Sequence, residues 1–297
     1  RGHILFSDDA GKTWQQAKVP VSSDLTSVYF PTPTDGWAVG HDGVVLHTAD
    51  AGESWTKQLD GMQAGKLMLE YYTKMAANDP ANERLDSLVY EAERVVDEGA
   101  DKPFLGVWFS DNLNGYVVGA FGLIFQTKDG GASWFPLNDK IDNPQGYHLN
   151  AISGTGSGQD VIMVSEQGLV MRMDPATGMF VTSTTPFEGT YFGMQRIPSG
   201  LVIYGLSGMA FKSTDGGASW TQLIVPVDKP FTAAATTASG LFFLFDQPGD
   251  MLNSIDGGQT FRQLPQPGML PISSAVAVGN ETLVLVGPRG VRVLPIE

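Results

Sequence analysis

The sequence predicts a β-propeller, because one turn motif recurs at a period near forty residues among short apolar runs. The motif is an octet of the form Ser/Thr-x-Asp-x-Gly-x-Ser/Thr-aromatic. It occurs at Ser7–Trp14, Thr48–Trp55, Thr127–Trp134, Ser213–Trp220 and Ser254–Phe261. Asp9 and Asp50 are 41 residues apart, and so are Asp215 and Asp256. A repeat of this length with four strands per unit is typical of propeller blades.

Each period contains four short apolar runs separated by glycine turns, which is the pattern of one blade. In the second period these runs are LTSVYF, WAVG, VVLHT and SWTKQL. The chain opens with two runs around its first octet and closes with three runs that lack one. We therefore expect one propeller domain over residues 1–297. It has seven blades if a segment before Arg1 completes the terminal ones, and six if the runs present close a single blade.

Charge and composition exclude several functions. The formal net charge is −14, which argues against a nucleic-acid partner because phosphates demand clustered Lys and Arg. The chain has no cysteine, and its four histidines lack the spacing of metal ligands. No apolar run approaches the ~20 residues that span a bilayer. We therefore expect no metal, no cofactor, no nucleic acid and no membrane span.

The aspartates of the octets have a structural explanation. Such a side chain accepts hydrogen bonds from backbone amides of its own turn, and the following glycine permits a positive φ angle. The closing aromatic residue anchors the turn against the sheet. A calcium-binding or catalytic role is the alternative. The residues predicted to be structural are Asp9, Gly11, Trp14, Asp50, Gly52, Trp55, Asp129, Gly131, Trp134, Asp215, Gly217, Trp220, Asp256, Gly258 and Phe261.

Residues 62–99 interrupt the repeat and predict a helical hairpin inserted between two blades. Leu67, Met68, Tyr71, Tyr72 and Met75 recur at helical spacing, and a second apolar stripe begins at Leu85. Asp79 and Pro80 are the expected N-cap and first-turn proline of the second helix. Helices of this length are marginal alone, so both stripes must pack on another part of the protein.

The hairpin is expected on the face opposite the octets. It connects two blades, and such connections share a face with the turns between second and third strands. That face is the candidate partner-binding surface, and the alternative is that the hairpin only covers apolar strand edges. The candidate residues are His41, Asp42, Tyr71, Tyr72, Phe121, Tyr147, His148, Glu166, Tyr191 and Arg289.

A glycosidase acting at the central channel is the enzyme alternative. Sialidase chemistry needs three arginines at the starts of blades, and the arginines of this chain do not follow that placement. Other glycosidases need two neighbouring carboxylates, for which Asp42, Glu166 and Glu188 are the candidates. Surface solvation explains each of these equally well, so we predict no catalytic residue.

The octets resemble the Asp-box, or bacterial neuraminidase repeat, of sialidases and many other propellers. The run VYFPTPTDGWAVGHDGVVLHTADAGESW at 28–55, with YHLNAI at 147–152 and EGTYFG at 188–193, is similar to the photosystem II stability/assembly factor family and its non-photosynthetic bacterial relatives. That resemblance implies an exported, non-catalytic scaffold that binds a protein partner, with a membrane transport or assembly complex as the candidate. We expect a periplasmic or otherwise exported monomer whose signal peptide has been removed before Arg1.

Overall fold

Seven sheets are present in the computed structural model, which describes residues 2–155, 158, 160–264 and 271–296. Five sheets have four strands, one has three and one has two. In every sheet each strand pairs with the next strand along the chain. This meander is the arrangement expected of propeller blades, and the number of sheets agrees with the seven-bladed prediction.

The chain divides into two compact units. The first comprises residues 2–6, 16–163 and 171–182, as far as these are described. Two four-stranded sheets lie entirely within it. Their strands are β3 (Leu25–Tyr29), β4 (Gly36–Gly40), β5 (Val45–Thr48) and β6 (Thr56–Leu59), followed by β7 (Phe104–Phe109), β8 (Gly115–Gly119), β9 (Ile124–Thr127) and β10 (Phe135–Pro136).

The second unit comprises residues 7–15, 164–170 and the described part of 183–296. It contains two four-stranded sheets and the three-stranded one. Their strands are β15 (Tyr191–Ile197), β16 (Gly200–Gly205), β17 (Ala210–Ser213), β18 (Thr221–Gln222), β19 (Phe231–Thr236), β20 (Phe242–Asp246), β21 (Met251–Ser254), β22 (Arg262–Leu264), β23 (Ser274–Val278), β24 (Thr282–Gly287) and β25 (Gly290–Pro295).

Two further sheets contain residues assigned to both units. Their strands are β1 (Leu5–Phe6) and β2 (Gln15–Gln16), and β11 (Leu149–Ser153), β12 (Ile162–Ser165), β13 (Val170–Met173) and β14 (Phe180–Ser183).

The second strand of each four-stranded sheet is buried on both faces along nearly its whole length. In the sheet β7–β10, Val117 of β8 pairs with Val107 of β7 and with Phe125 of β9. Val117 and Phe125 are fully buried. A short strand covered on both faces reads as a continuous apolar run, and this explains the sequences WAVG and YVVG. The core of the first unit therefore extends across both of its sheets.

The predicted helical hairpin is confirmed as α1 (Gly61–Asn78) and α2 (Glu83–Glu98). The predicted start of its second helix is wrong. The Asp79 backbone N–H donates to the carbonyls of Met75 and Ala76, so Asp79 closes α1. The second helix begins after Asn82, whose side chain donates to Asp79 Oδ2.

All five octets share one set of internal hydrogen bonds to the aspartate and to the first hydroxyl residue. In the second octet, the backbone N–H and the hydroxyl of Ser54 donate to Asp50 at 2.9 and 2.5 Å. The Thr48 hydroxyl donates to Asp50 Oδ1 and accepts from the Gly52 backbone N–H. The same donors, four residues after the aspartate, serve Asp9, Asp129, Asp215 and Asp256.

These hydrogen bonds favour the ionised carboxylate. They lower the pKa of Asp50 to about 2, mainly through the Ser54 hydroxyl and backbone N–H. They also lower the pKa of Asp9 to about 2, with Thr13 as the main donor. The bonding supports a structural role for these aspartates. A depressed carboxyl pKa stabilises the folded state at neutral pH, and that contribution is lost as the pH falls through the folded pKa.

We predict that Asp50→Ala lowers the melting temperature at pH 7, because it removes the acceptor of three hydrogen bonds. The difference from the parent chain should shrink as the pH falls from about 4 towards 2, because an increasing fraction of the carboxylate is protonated over this range. Thermal denaturation followed by circular dichroism at pH 7 and at pH 2 measures the two differences in melting temperature. Glu53→Ala is the control, because Glu53 is an exposed residue of the same octet. Equal destabilisation by the two variants would contradict the assignment.

Candidate partner-binding groove beside the helical hairpin

The helical hairpin is fixed to the first unit at its start. Asp60 and Gln63 form a capping box, in which Asp60 accepts from the Gln63 backbone N–H and Gln63 accepts from that of Asp60. Gly43, at φ +60°, lies against the first residue of α1, and a Cβ added there would meet Gly61 Cα at 2.7 Å. Because Gly43 has no side chain, the beginning of α1 can lie directly against the turn His41–Gly43.

The hairpin also holds the segment that follows β10. Tyr72 of α1 is fully buried, and its hydroxyl accepts a 2.7 Å hydrogen bond from the Asn138 backbone N–H. Arg84 of α2 donates to the carbonyls of Ile141 and Asn138. The Asn138 side-chain amide donates to the carbonyl of Gly122. One segment is thus fastened to both helices and to the turn between β8 and β9.

A groove of about 710 Å³ lies between α2 and residues 141–146. Asn143 shapes its outer wall, because its side chain accepts from the backbone N–H of Tyr147 and donates to the carbonyl of the same residue. The apolar part of the lining comes from both sides and from the turn between β8 and β9. Its members are Leu88, Phe121, Ile141 and Pro144.

Phe121 is the exposed aromatic residue of this groove. Its backbone has φ 56°, a left-handed conformation, and its side chain is 51% exposed. The corresponding turns place polar residues in that conformation, with Asp42 at φ 59° and Ser207 at φ 56°. His148 packs on the Phe121 ring with centroids 4.9 Å apart, and Lys102 Nζ lies 5.6 Å from the Phe121 centroid.

The charged side chains of the groove differ in how they are partnered. Arg84 is held by the carbonyls described above, and Arg94 pairs with Glu98 at 3.7 Å. Lys102 is buried and pairs with Glu98 and Asp101. Among the described residues, no ion pair engages the three carboxylates of the lining. These are Glu83, Glu91 and Asp142.

Several predicted surface residues lie beside the hairpin or at the end of the segment 141–147. His41 and Asp42 are exposed on the turn that contacts α1, and Asp42 accepts a hydrogen bond from the Ser23 hydroxyl. Tyr147 and His148 are half-buried at the end of the segment 141–147. Tyr71 is half-buried and its ring forms a T-shaped contact with that of Tyr72, with centroids 5.3 Å apart.

Two predicted surface residues are buried, which corrects that part of the prediction. Tyr72 is enclosed by the apolar cluster shared by the hairpin and the sheets. Tyr191 is fully buried between Phe187 and Phe211, and its hydroxyl bonds Thr185 at 2.6 Å. Neither side chain is available to a partner. Tyr191 belongs to the second unit, as do Glu166 and the exposed Arg289.

The groove itself was missed by the sequence prediction. Its outer wall comes from NDKIDNPQG at 138–146, a run rich in Asn, Asp, Pro and Gly that reads as an ordinary loop. The contacts of Arg84 with main-chain carbonyls leave no mark in the sequence, so spacing alone could not reveal them.

In the described part of the chain, no group of His, Asp and Glu side chains is arranged to hold a metal ion. None of the helices described has the length and apolar character needed to cross a membrane.

Comparison with known proteins gives consistent results. Residues 1–69 match the family described as "Photosynthesis system II assembly factor YCF48". The "Photosystem II assembly protein Ycf48" of Synechococcus sp. strain JA-2-3B'a(2-13) is 23% identical, over 93% of this chain and 87% of the relative. A "Photosystem II assembly lipoprotein Ycf48" of Synechococcus sp. strain CC9902 is 26% identical, over 54% of this chain and about half, 49%, of the relative's length.

A solved structure extends the comparison to the fold. "YCF48 bound to D1 peptide" superposes with a TM-score of 0.66 at 18% identity, covering 92% of this chain and 79% of that one. The chain is therefore a β-propeller, as the octet repeat predicts. The predicted resemblance to photosystem II assembly factors is confirmed, while placement in a non-photosynthetic branch stays a prediction.

We predict that Tyr72→Phe destabilises the protein by about 1–3 kcal/mol, the usual cost of a buried donor left without an acceptor. The donor is the Asn138 N–H, and the variant changes little volume. Tyr71→Phe is the matched control on the neighbouring, half-buried ring, and it should cost much less. Chemical denaturation measures both, and equal costs would contradict a specific role for the Tyr72 hydroxyl.

Proposed function

From the confirmed similarity to photosystem II assembly factors, we propose that this chain is a non-catalytic propeller that binds a protein partner. The binding surface is the groove between α2 and residues 141–146, together with the neighbouring turns His41–Gly43 and Ala120–Gly122. The observation that carries the proposal is Phe121, a large aromatic side chain exposed on a left-handed turn.

Two features of Phe121 are unfavourable for the stability of the folded chain. A left-handed backbone is unfavourable for a bulky residue, and glycine or a polar residue would suit the turn better. Half of the ring is also left in water. Strained residues concentrate at binding sites, and aromatic anchors supply much of the energy of protein interfaces. A partner that covers Phe121 would recover the cost of its exposure.

The relatives indicate the kind of partner. One solved relative is described as bound to a D1 peptide, and the curated relatives are named as assembly proteins. We infer that this chain likewise holds a peptide segment of a membrane-protein complex during its assembly or transport. An exported location is part of the proposal, and the lipoprotein names of two relatives support it.

We predict that Phe121→Gly reduces partner capture without loss of stability. Glycine removes the anchor and fits φ 56° without strain, so the melting temperature should stay equal or rise. Capture is measured by replacing Phe121 with a photo-crosslinking phenylalanine analogue and irradiating the protein with native membranes. A discrete adduct with one membrane protein is expected. The parent chain, added in excess, should compete for this adduct, and Phe121→Gly should not.

The same analogue at position 224 is the control. Ile224 is 86% exposed and belongs to the second unit, so it should not yield that adduct. The proposed surface is wrong if position 224 gives the same adduct, or if Phe121→Gly competes as well as the parent chain.

A further inference from the structure

We propose that the groove between α2 and residues 141–146 receives an extended segment carrying Lys or Arg side chains beside an apolar residue. This inference rests on the proposed function and adds the chemistry of the partner. Three features of the groove support it, namely its ion pairs, its apolar lining and its volume.

The carboxylates of the groove can accept new partners, whereas its cations are already engaged. Glu91 of α2 and Asp142 of the opposite wall are exposed and lie on the two sides of the groove. Arg84 is held by two main-chain carbonyls, and Arg94 has Glu98 as its neighbour. A guanidinium or ammonium group between the walls would therefore gain charge-assisted hydrogen bonds.

An acidic segment would meet the opposite situation. Its carboxylates would face Glu91 and Asp142, and like charges at an interface cost binding energy. The net charge of −14 over the whole chain adds to this discrimination and favours encounter with a basic partner.

The floor of the groove suits the apolar part of such a segment. Leu88, Phe121 and Ile141 line it, and the Phe121 ring already has Lys102 Nζ at 5.6 Å. Long basic side chains lay their aliphatic stems on apolar surfaces of this kind while the charge stays in water. A volume of about 710 Å³ falls within the ~300–1,000 Å³ of small-ligand sites, so it admits a few residues of a peptide and not a folded domain.

Two fluorescein-labelled decapeptides test the inference, one alternating Leu with Lys and the other alternating Leu with Glu. The lysine peptide should bind the full chain, as measured by fluorescence anisotropy, and the glutamate peptide should bind more weakly. The double variant Glu91→Gln/Asp142→Asn should lower the affinity for the lysine peptide about five-fold, since it removes two exposed ion pairs that are each worth about 0.5 kcal/mol. Asp8→Asn/Glu281→Gln removes the same charge from exposed positions of the second unit and should change the affinity less than two-fold.

Three results would overturn the inference. These are no binding of the lysine peptide at millimolar concentration, tighter binding of the glutamate peptide, and equal weakening by the two double variants. Failure of the proposed function can be distinguished from failure of this inference. It would appear as a missing or non-specific adduct in the crosslinking at position 121, whichever peptide binds. A glutamate peptide whose binding is lost in Phe121→Gly would refute the basic chemistry and leave the docking surface in place.

Discussion

The burial of the helical hairpin against the first unit is the constraint on which the candidate site depends. A hairpin of two short helices is marginal in water, and its apolar stripes need a surface to cover. Met68, Tyr72 and Leu85 share one apolar cluster with strands of both sheets. The contact between Gly43 and Gly61 leaves no room for a side chain. The hairpin is therefore part of the core, and removing it would expose the sheets beneath.

That burial also explains how a binding surface arises from an ordinary loop. The loop after β10 is polar, and residues 142–147 form neither a helix nor a strand. Tyr72 and Arg84 hold it by its main chain, so the groove that it forms with α2 is built before any partner arrives. A preorganised groove avoids the entropic cost of ordering a loop on binding. The exposed Phe121 in its lining then has a fixed position.

The fold could be predicted from the sequence, but the groove could not. The octets and their 41-residue spacing predicted the sheets, because a repeated turn leaves a repeated signal. The stripes predicted the hairpin, but Asp79 was assigned to the wrong helix, since it can serve at either end. Topology assigns Tyr72 and Tyr191 to the candidate face, but it does not fix whether a side chain points outward, and each hydroxyl finds its partner inside. The left-handed backbone at Phe121 is not predicted by the residue itself, which disfavours it, although its turn occupies the same place in the repeat as His41–Gly43.

Amide hydrogen exchange tests most directly whether the hairpin belongs to the core. If it does, the amides of α1 and α2 open with the same free energy as those of β8 and β9, because a shared core unfolds as one cooperative unit. The measurement uses the full chain at neutral pH and follows peptides from both elements by mass spectrometry. Exchange of the hairpin within minutes, while β8 and β9 stay protected for far longer, would show that the helices move independently and would contradict a preformed groove.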